Sequence, residues 1–146
     1  MAPALDRPLY GASWGAAVAR YVGNYARFRG RASRSEYWWW ALTNVLITIA
    51  LNWLGQTLDP GGWRDGAIGL PLSSGSFGSF GTVAGVIALV YGLGTLIPNF
   101  ALTWRRLHDT NRGGAWFFLV LIPIVGWIVL FFFLIGRPHD EGRRFD

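Results

Sequence analysis

The chain has 146 residues, 52% of them hydrophobic and 14% charged, with a formal net charge of +5. A water-soluble domain carries roughly 25% charged residues, so the composition excludes an ordinary soluble fold, and the length allows one domain. There is no cysteine, which excludes disulfides, thiolate metal sites and cysteine nucleophiles. Two histidines, His108 and His139, are too few for a histidine-rich metal centre.

All 13 basic residues are arginine. Such a balance suits either nucleic acid or an anionic membrane face. The long apolar runs decide for the membrane, and no nucleic-acid partner is expected. Nine Trp, five Tyr and ten Phe fit interfacial aromatic belts.

Residues 1–9 read as a disordered leader without the features of a signal peptide, so the spans themselves must direct insertion. Tyr10, Trp14, Ala17, Val18, Tyr21, Val22, Tyr25 and Phe28 then recur at helical spacing, with Ser13, Arg20, Asn24 and Arg27 opposite. An amphipathic helix over 10–28, lying in the headgroup plane, is expected. The first apolar span, 37–54, opens on Tyr37 to Trp40 and ends near Trp53. Its length of roughly 27 Å is close to one hydrocarbon thickness. Asn44, Thr48 and Asn52 share one stripe of it, and polar stripes in a bilayer face neighbouring helices.

Residues 55–81 are rich in Gly, Ser and Pro and read as an extracytoplasmic loop. The second span, 82–104, carries a matching stripe at Tyr91, Thr95 and Asn99, with Thr103 one turn on and Pro98 as a kink. Gly81 and Gly85 form a G-x-x-x-G, a weak signal for a homo-oligomer. After a polar connection at 105–114, residues 115–135 hold no charged or amide side chain, though Pro123 and Gly126 interrupt them. A polar tail, 136–146, follows.

The expected fold is all-α: one membrane domain, 1–146, with an interfacial amphipathic helix followed by a bundle of three transmembrane helices. Arg7, Arg20, Arg27, Arg29, Arg31 and Arg34 precede the first span, and Arg105, Arg106 and Arg112 follow the second. With the N-terminus inside, three crossings put these nine arginines in the cytoplasm and Arg64, Arg137, Arg143 and Arg144 outside. The C-terminus is then extracytoplasmic. The alternative is a reentrant third segment with the tail inside.

Gly30-Arg31-Ala32-Ser33-Arg34-Ser35-Glu36-Tyr37-Trp38, Arg105-Arg106-Leu107-His108-Asp109-Thr110-Asn111-Arg112, Ile122-Pro123-Ile124-Val125-Gly126 and Gly142-Arg143-Arg144-Phe145 are four recognisable blocks. Together they resemble the family known as domain of unknown function 805, from about Trp14 onward apart from the loop. The second block continues as Gly113-Gly114-Ala115-Trp116 where the family has S-G-W-W, and Arg143 and Asp146 replace its usual Asn and Gly. The resemblance implies a small bacterial inner-membrane protein. It implies no reaction, substrate or catalytic residue.

Ser33 and Glu36 have the spacing of a capping box. Arg31 and Arg34 either snorkel to headgroups and set orientation or shape a phosphate site. Arg105 and Arg106 either complement a helix C-terminus or join that site. On one membrane face, Arg31, Arg34, Glu36, Arg105, Arg106, His108, Asp109 and Arg112 are the candidates for binding anionic lipid or a partner membrane protein. Adjacent residues on a helix point apart, so His108 and Asp109 form a relay only across a bend. No catalytic residue, metal or cofactor is expected. The competing functions are an oligomeric channel or transporter using the stripes of spans one and two, and a lipid-headgroup enzyme with Glu36 or His108 as base.

Overall fold

A computed structural model describes residues 4–58 and 83–145. Its helices, in chain order, are α1 (Trp14–Gly23), α2 (Arg34–Leu58), α3 (Val83–Asp109) and α4 (Val125–Ile135), with 3-10 segments at Gly114–Leu121 and Asp140–Phe145. The described residues contain no strand. Helix α2 runs four residues past the expected end of span one; the rest of the expected loop, residues 59–81 with Gly81 of the G-x-x-x-G, and residue 82 of the expected second span lie outside the described residues.

Helices α2 and α3, of 25 and 27 residues, are long and apolar enough to cross a membrane. At about 1.5 Å per residue each exceeds roughly 35 Å. Their apolar side chains point outward: Leu46, Ile49 and Trp53 on α2 and Val86, Val90 and Leu93 on α3 are all exposed. Exposed apolar surface of this extent is lipid-facing surface. The chain is an all-α membrane protein.

The chain divides into two compact units, residues 1–40 with 98–146, and residues 41–97. In the second unit, the Tyr91 hydroxyl donates to Asn44 Oδ1 at 2.6 Å. Thr48, Asn52 and Thr95 donate to carbonyls one turn back on their own helices. Ala84 and Ala88 form a small buried cluster there.

The first unit corrects three expectations. Residues 4–9 are not a free leader: the Ser33 hydroxyl donates to Leu9 O at 2.7 Å, and Arg31 N–H to Asp6 O at 2.9 Å. Helix α1 spans ten residues, not 10–28, and only part of the expected polar side, Ser13 and Arg27, is exposed. Arg20 and Asn24 are buried, while Trp14, Val22, Tyr25 and Phe28 are exposed. The reason is electrostatic: a buried carboxylate, Glu36, draws Arg20 inward.

The third apolar stretch is not one continuous helix. Its 3-10 segment ends at Leu121, and α4 starts only at Val125. Between them Val125 N–H donates to Pro123 O at 2.8 Å, with Ile124 at φ 65°, ψ −69°. That is a γ-turn whose central residue has positive φ, a rare and strained form. Eleven residues of α4, roughly 16 Å at the helical rise, fall short of a full crossing.

Candidate functional site

The site of interest is a buried polar cluster in the first unit. Ser33 caps α2: its Oγ accepts from Glu36 N–H at 3.2 Å, and Glu36 Oε2 accepts from Ser33 N–H at 2.7 Å. This is the reciprocal box that the S-x-x-E spacing specifies. The other carboxylate oxygen, Oε1, pairs with Arg20 Nε. Arg20 also donates to the carbonyls of Ala4, Leu5 and Arg7, so it fastens the N-terminal arm to α2.

The second half of the cluster grows from the end of α3. Asn111 N–H donates to His108 O and Arg112 N–H to Leu107 O, both at 3.0 Å, with Asn111 at φ 58°. This is a Schellman motif with asparagine at the left-handed position. It stops the helix just after Asp109. Arg106 and Asp109 lie one turn apart on the buried side of α3, and both are 0% exposed.

Asp109 Oδ2 accepts from Arg106 Nη1 at 2.5 Å, and Oδ1 accepts from the Tyr10 hydroxyl at 2.8 Å, with Arg31 Nη1 at 3.7 Å. Arg106 also donates to Leu134 O, Ala32 O and Gly136 O. Arg34 Nε donates to the same Gly136 carbonyl at 2.9 Å. The tail closes over this group: His139 N–H donates to Asp109 O at 3.0 Å. A Cβ on Gly142 would sit 2.6 Å from His108 O and 3.4 Å from Arg31 Cδ, so only glycine permits that approach. Gly30 answers the same demand on the arm, with φ +85° and no room for a Cβ against the Asp6 backbone.

His108 and Asp109 diverge. His108 Nδ1 lies 3.1 Å from Gly30 O. A carbonyl only accepts, so Nδ1 carries the proton. No bend turns the ring toward Asp109, and the pair is not a relay. Arg112 lies apart from the cluster, its guanidinium 3.9 Å above the Phe133 ring. Outside the membrane spans, the Tyr10 hydroxyl is pushed up to about 12, first by burial, then by its hydrogen bond to Asp109 and that carboxylate's charge.

Arg31, Glu36, Arg105, Arg106, His108 and Asp109 are thus gathered into one buried group, with Arg34 half-buried at its edge. Residue spacing missed two buried members, Arg20 and Asn24, and the exposed Tyr10, whose hydroxyl reaches Asp109. Arg20 and Asn24 looked like the wet face of an amphipathic helix, and Tyr10 like an interfacial aromatic. The available signal was a carboxylate, Glu36, at the start of an apolar run.

Two helices long and apolar enough to cross a membrane, and a buried charged cluster within the first unit, define a helical membrane protein. Residues 25–146 match the family described as protein of unknown function (DUF805), and the chain belongs to that family. It is 36% identical over 124 residues to the inner membrane protein YhaH of Escherichia coli strain K12, covering 84% of this chain and 88% of that one. It is equally similar, over 122 residues, to the inner membrane protein YhaI of the same strain, covering 84% and 85%. No solved structure matches the chain.

Proposed function

We propose that the chain is a non-enzymatic inner-membrane protein that crosses the bilayer twice, keeps both ends in the cytoplasm and binds anionic lipid headgroups there. The observation that carries this reading is the distribution of arginine: of the 13, all but Arg64 belong to the unit that holds the buried cluster. Arg7, Arg27, Arg29, Arg137 and Arg144 are exposed around it. Each arginine near an anionic leaflet contributes roughly 1 kcal/mol, and the exposed Trp14, Tyr25 and Phe28 suit the headgroup layer.

The tail's contacts support a reentrant third segment over a third crossing. Gly136 and His139 bond to Arg34, Arg106 and Asp109, and the last two also hold Tyr10, Arg31 and Ala32. With the tail inside, the arginine asymmetry is twelve to one, against nine to four for three crossings. A non-enzymatic role fits the engagement of both candidate bases, Glu36 between Arg20 and Ser33, and His108 on Gly30. The path-lining reading of the stripes is weakened because Asn44, Thr48, Asn52 and Thr95 are hydrogen-bonded within their own unit.

The test is native mass spectrometry of protein reconstituted in a mixture of phosphatidylcholine and phosphatidylglycerol and released in mild detergent. Wild type is expected to retain phosphatidylglycerol in preference, and Arg29→Gln/Arg137→Gln/Arg144→Gln to lose much of that preference. Equal retention of both lipids by wild type would sink the reading.

A further inference from the structure

Four arginines, Arg20, Arg31, Arg105 and Arg106, are buried in the cluster with only two carboxylates, Glu36 and Asp109. Asp109 is shared by Arg106 and Arg31, and Glu36 is held by Arg20 and the Ser33 amide. Arg105 is left over. It is 1% exposed, and its Nε has no hydrogen-bond partner among the described residues. Its charged neighbours are Glu36, which attracts it, and Arg20 and Arg27, which repel it. Arginine keeps its charge in proteins, and a buried guanidinium without a matched anion is among the costliest groups a fold can hold.

Asp6, Ala26, Arg27, Phe28, Arg29 and Gly30 line an open depression. Arg27 belongs both to this lining and to the electrostatic surroundings of Arg105. Phe28 packs edge-on against Trp104, the residue before Arg105, at 5.9 Å between ring centroids. An unpartnered Nε leaves one N–H of the guanidinium free to donate to an oxyanion.

We propose that Arg105 and Arg27 bind one phosphate group, a phosphodiester headgroup or free phosphate, entering through the depression formed by residues 26–30. This rests on the anionic-ligand reading above and deepens it: the exposed arginines attract the anionic surface, and Arg105 selects a phosphate from it. The buried excess of two positive charges favours a phosphate over a neutral hydrogen-bonding ligand. Ligand binding would thereby complete the buried charge set.

The experiment is thermal unfolding of the full chain in mild non-ionic detergent at matched ionic strength. The probes are inorganic phosphate and sub-micellar dihexanoyl-phosphatidylglycerol. Wild type is expected to unfold at higher temperature with one or both, and Arg27→Gln to raise the apparent Kd at least tenfold. Arg105→Gln should abolish the shift, yet unfold without ligand no lower than wild type, because it removes an unmatched buried charge. Stabilisation by the lipid alone identifies a headgroup as the source; stabilisation by inorganic phosphate identifies a free anion site. No stabilisation of wild type by either probe, or stabilisation unchanged in Arg27→Gln, overturns the proposal. So does a ligand-free Arg105→Gln that unfolds far below wild type, which would make Arg105 structural. If wild type prefers phosphatidylglycerol in the mass-spectrometry test while neither probe stabilises it, this site fails and the surface reading stands.

Discussion

Asp109 concentrates more consequence than any other side chain in the cluster. Its two oxygens serve Arg106, Arg31 and Tyr10, which come from three parts of the chain. Asp109→Asn keeps the shape and removes the charge, leaving Arg106 buried with carbonyl partners alone. Breaking a buried pair in this way costs about 3–5 kcal/mol, so the variant is expected to unfold far below wild type in detergent; an unchanged midpoint would mean the pair is not formed. Tyr10 makes a milder, pH-dependent contribution. Its folded-state value of about 12 lies above the ordinary 10.0, so its stabilisation is fully present below pH 10 and fades as pH rises through 12. Tyr10→Phe should lose about 1 kcal/mol at neutral pH. The gap between wild type and variant should then shrink above pH 10, as measured by unfolding across an alkaline series.

At the scale of elements, helix ends do most of the positioning. The capping box starts α2 with its carboxylate inside the cluster, and the Schellman motif stops α3 with Asp109 inside it. Asn111 occupies the left-handed position there, and its amide also donates to Glu141 Oε2 at 2.5 Å. Asn111→Gly is expected to be tolerated within a few tenths of a kcal/mol. Asn111→Val should cost about 1–2 kcal/mol, because a β-branched residue resists positive φ. Equal unfolding midpoints for the two variants would show that the turn is not formed as described. The break at Pro123 and Ile124 has a larger effect on architecture, since it replaces one long helix by two short segments that pack on each other.

At the scale of the whole molecule, the question is which side of the membrane each end occupies. The chain has no cysteine, so an introduced one is unique. Ala4→Cys and Pro138→Cys are both at exposed positions. Under the proposed topology, a membrane-impermeant maleimide should label both in inverted vesicles and neither in spheroplasts. Ser74→Cys, in the connection between α2 and α3, should behave in the opposite way. Labelling of Pro138→Cys in spheroplasts would restore three full crossings.

The sequence by itself determined the membrane class, the existence of α2 and α3, and the capping box. These depend on hydropathy over a window and on spacings of three or four residues, which are local properties of the chain. The pairing of Asn44 with Tyr91 was foreshadowed by two stripes of matching period. Only the tertiary structure decided which arginines are buried. Arg20 pairs with Glu36 and not with water, and Tyr10 reaches Asp109 across 99 positions. With 13 arginines and few carboxylates, spacing cannot say which charges meet; that is decided when distant segments close on one another. The same closure fastened the arm and the tail to one cluster and left Arg105 buried without a carboxylate of its own, because burial in a packed interior is a property of contacts that no local pattern encodes.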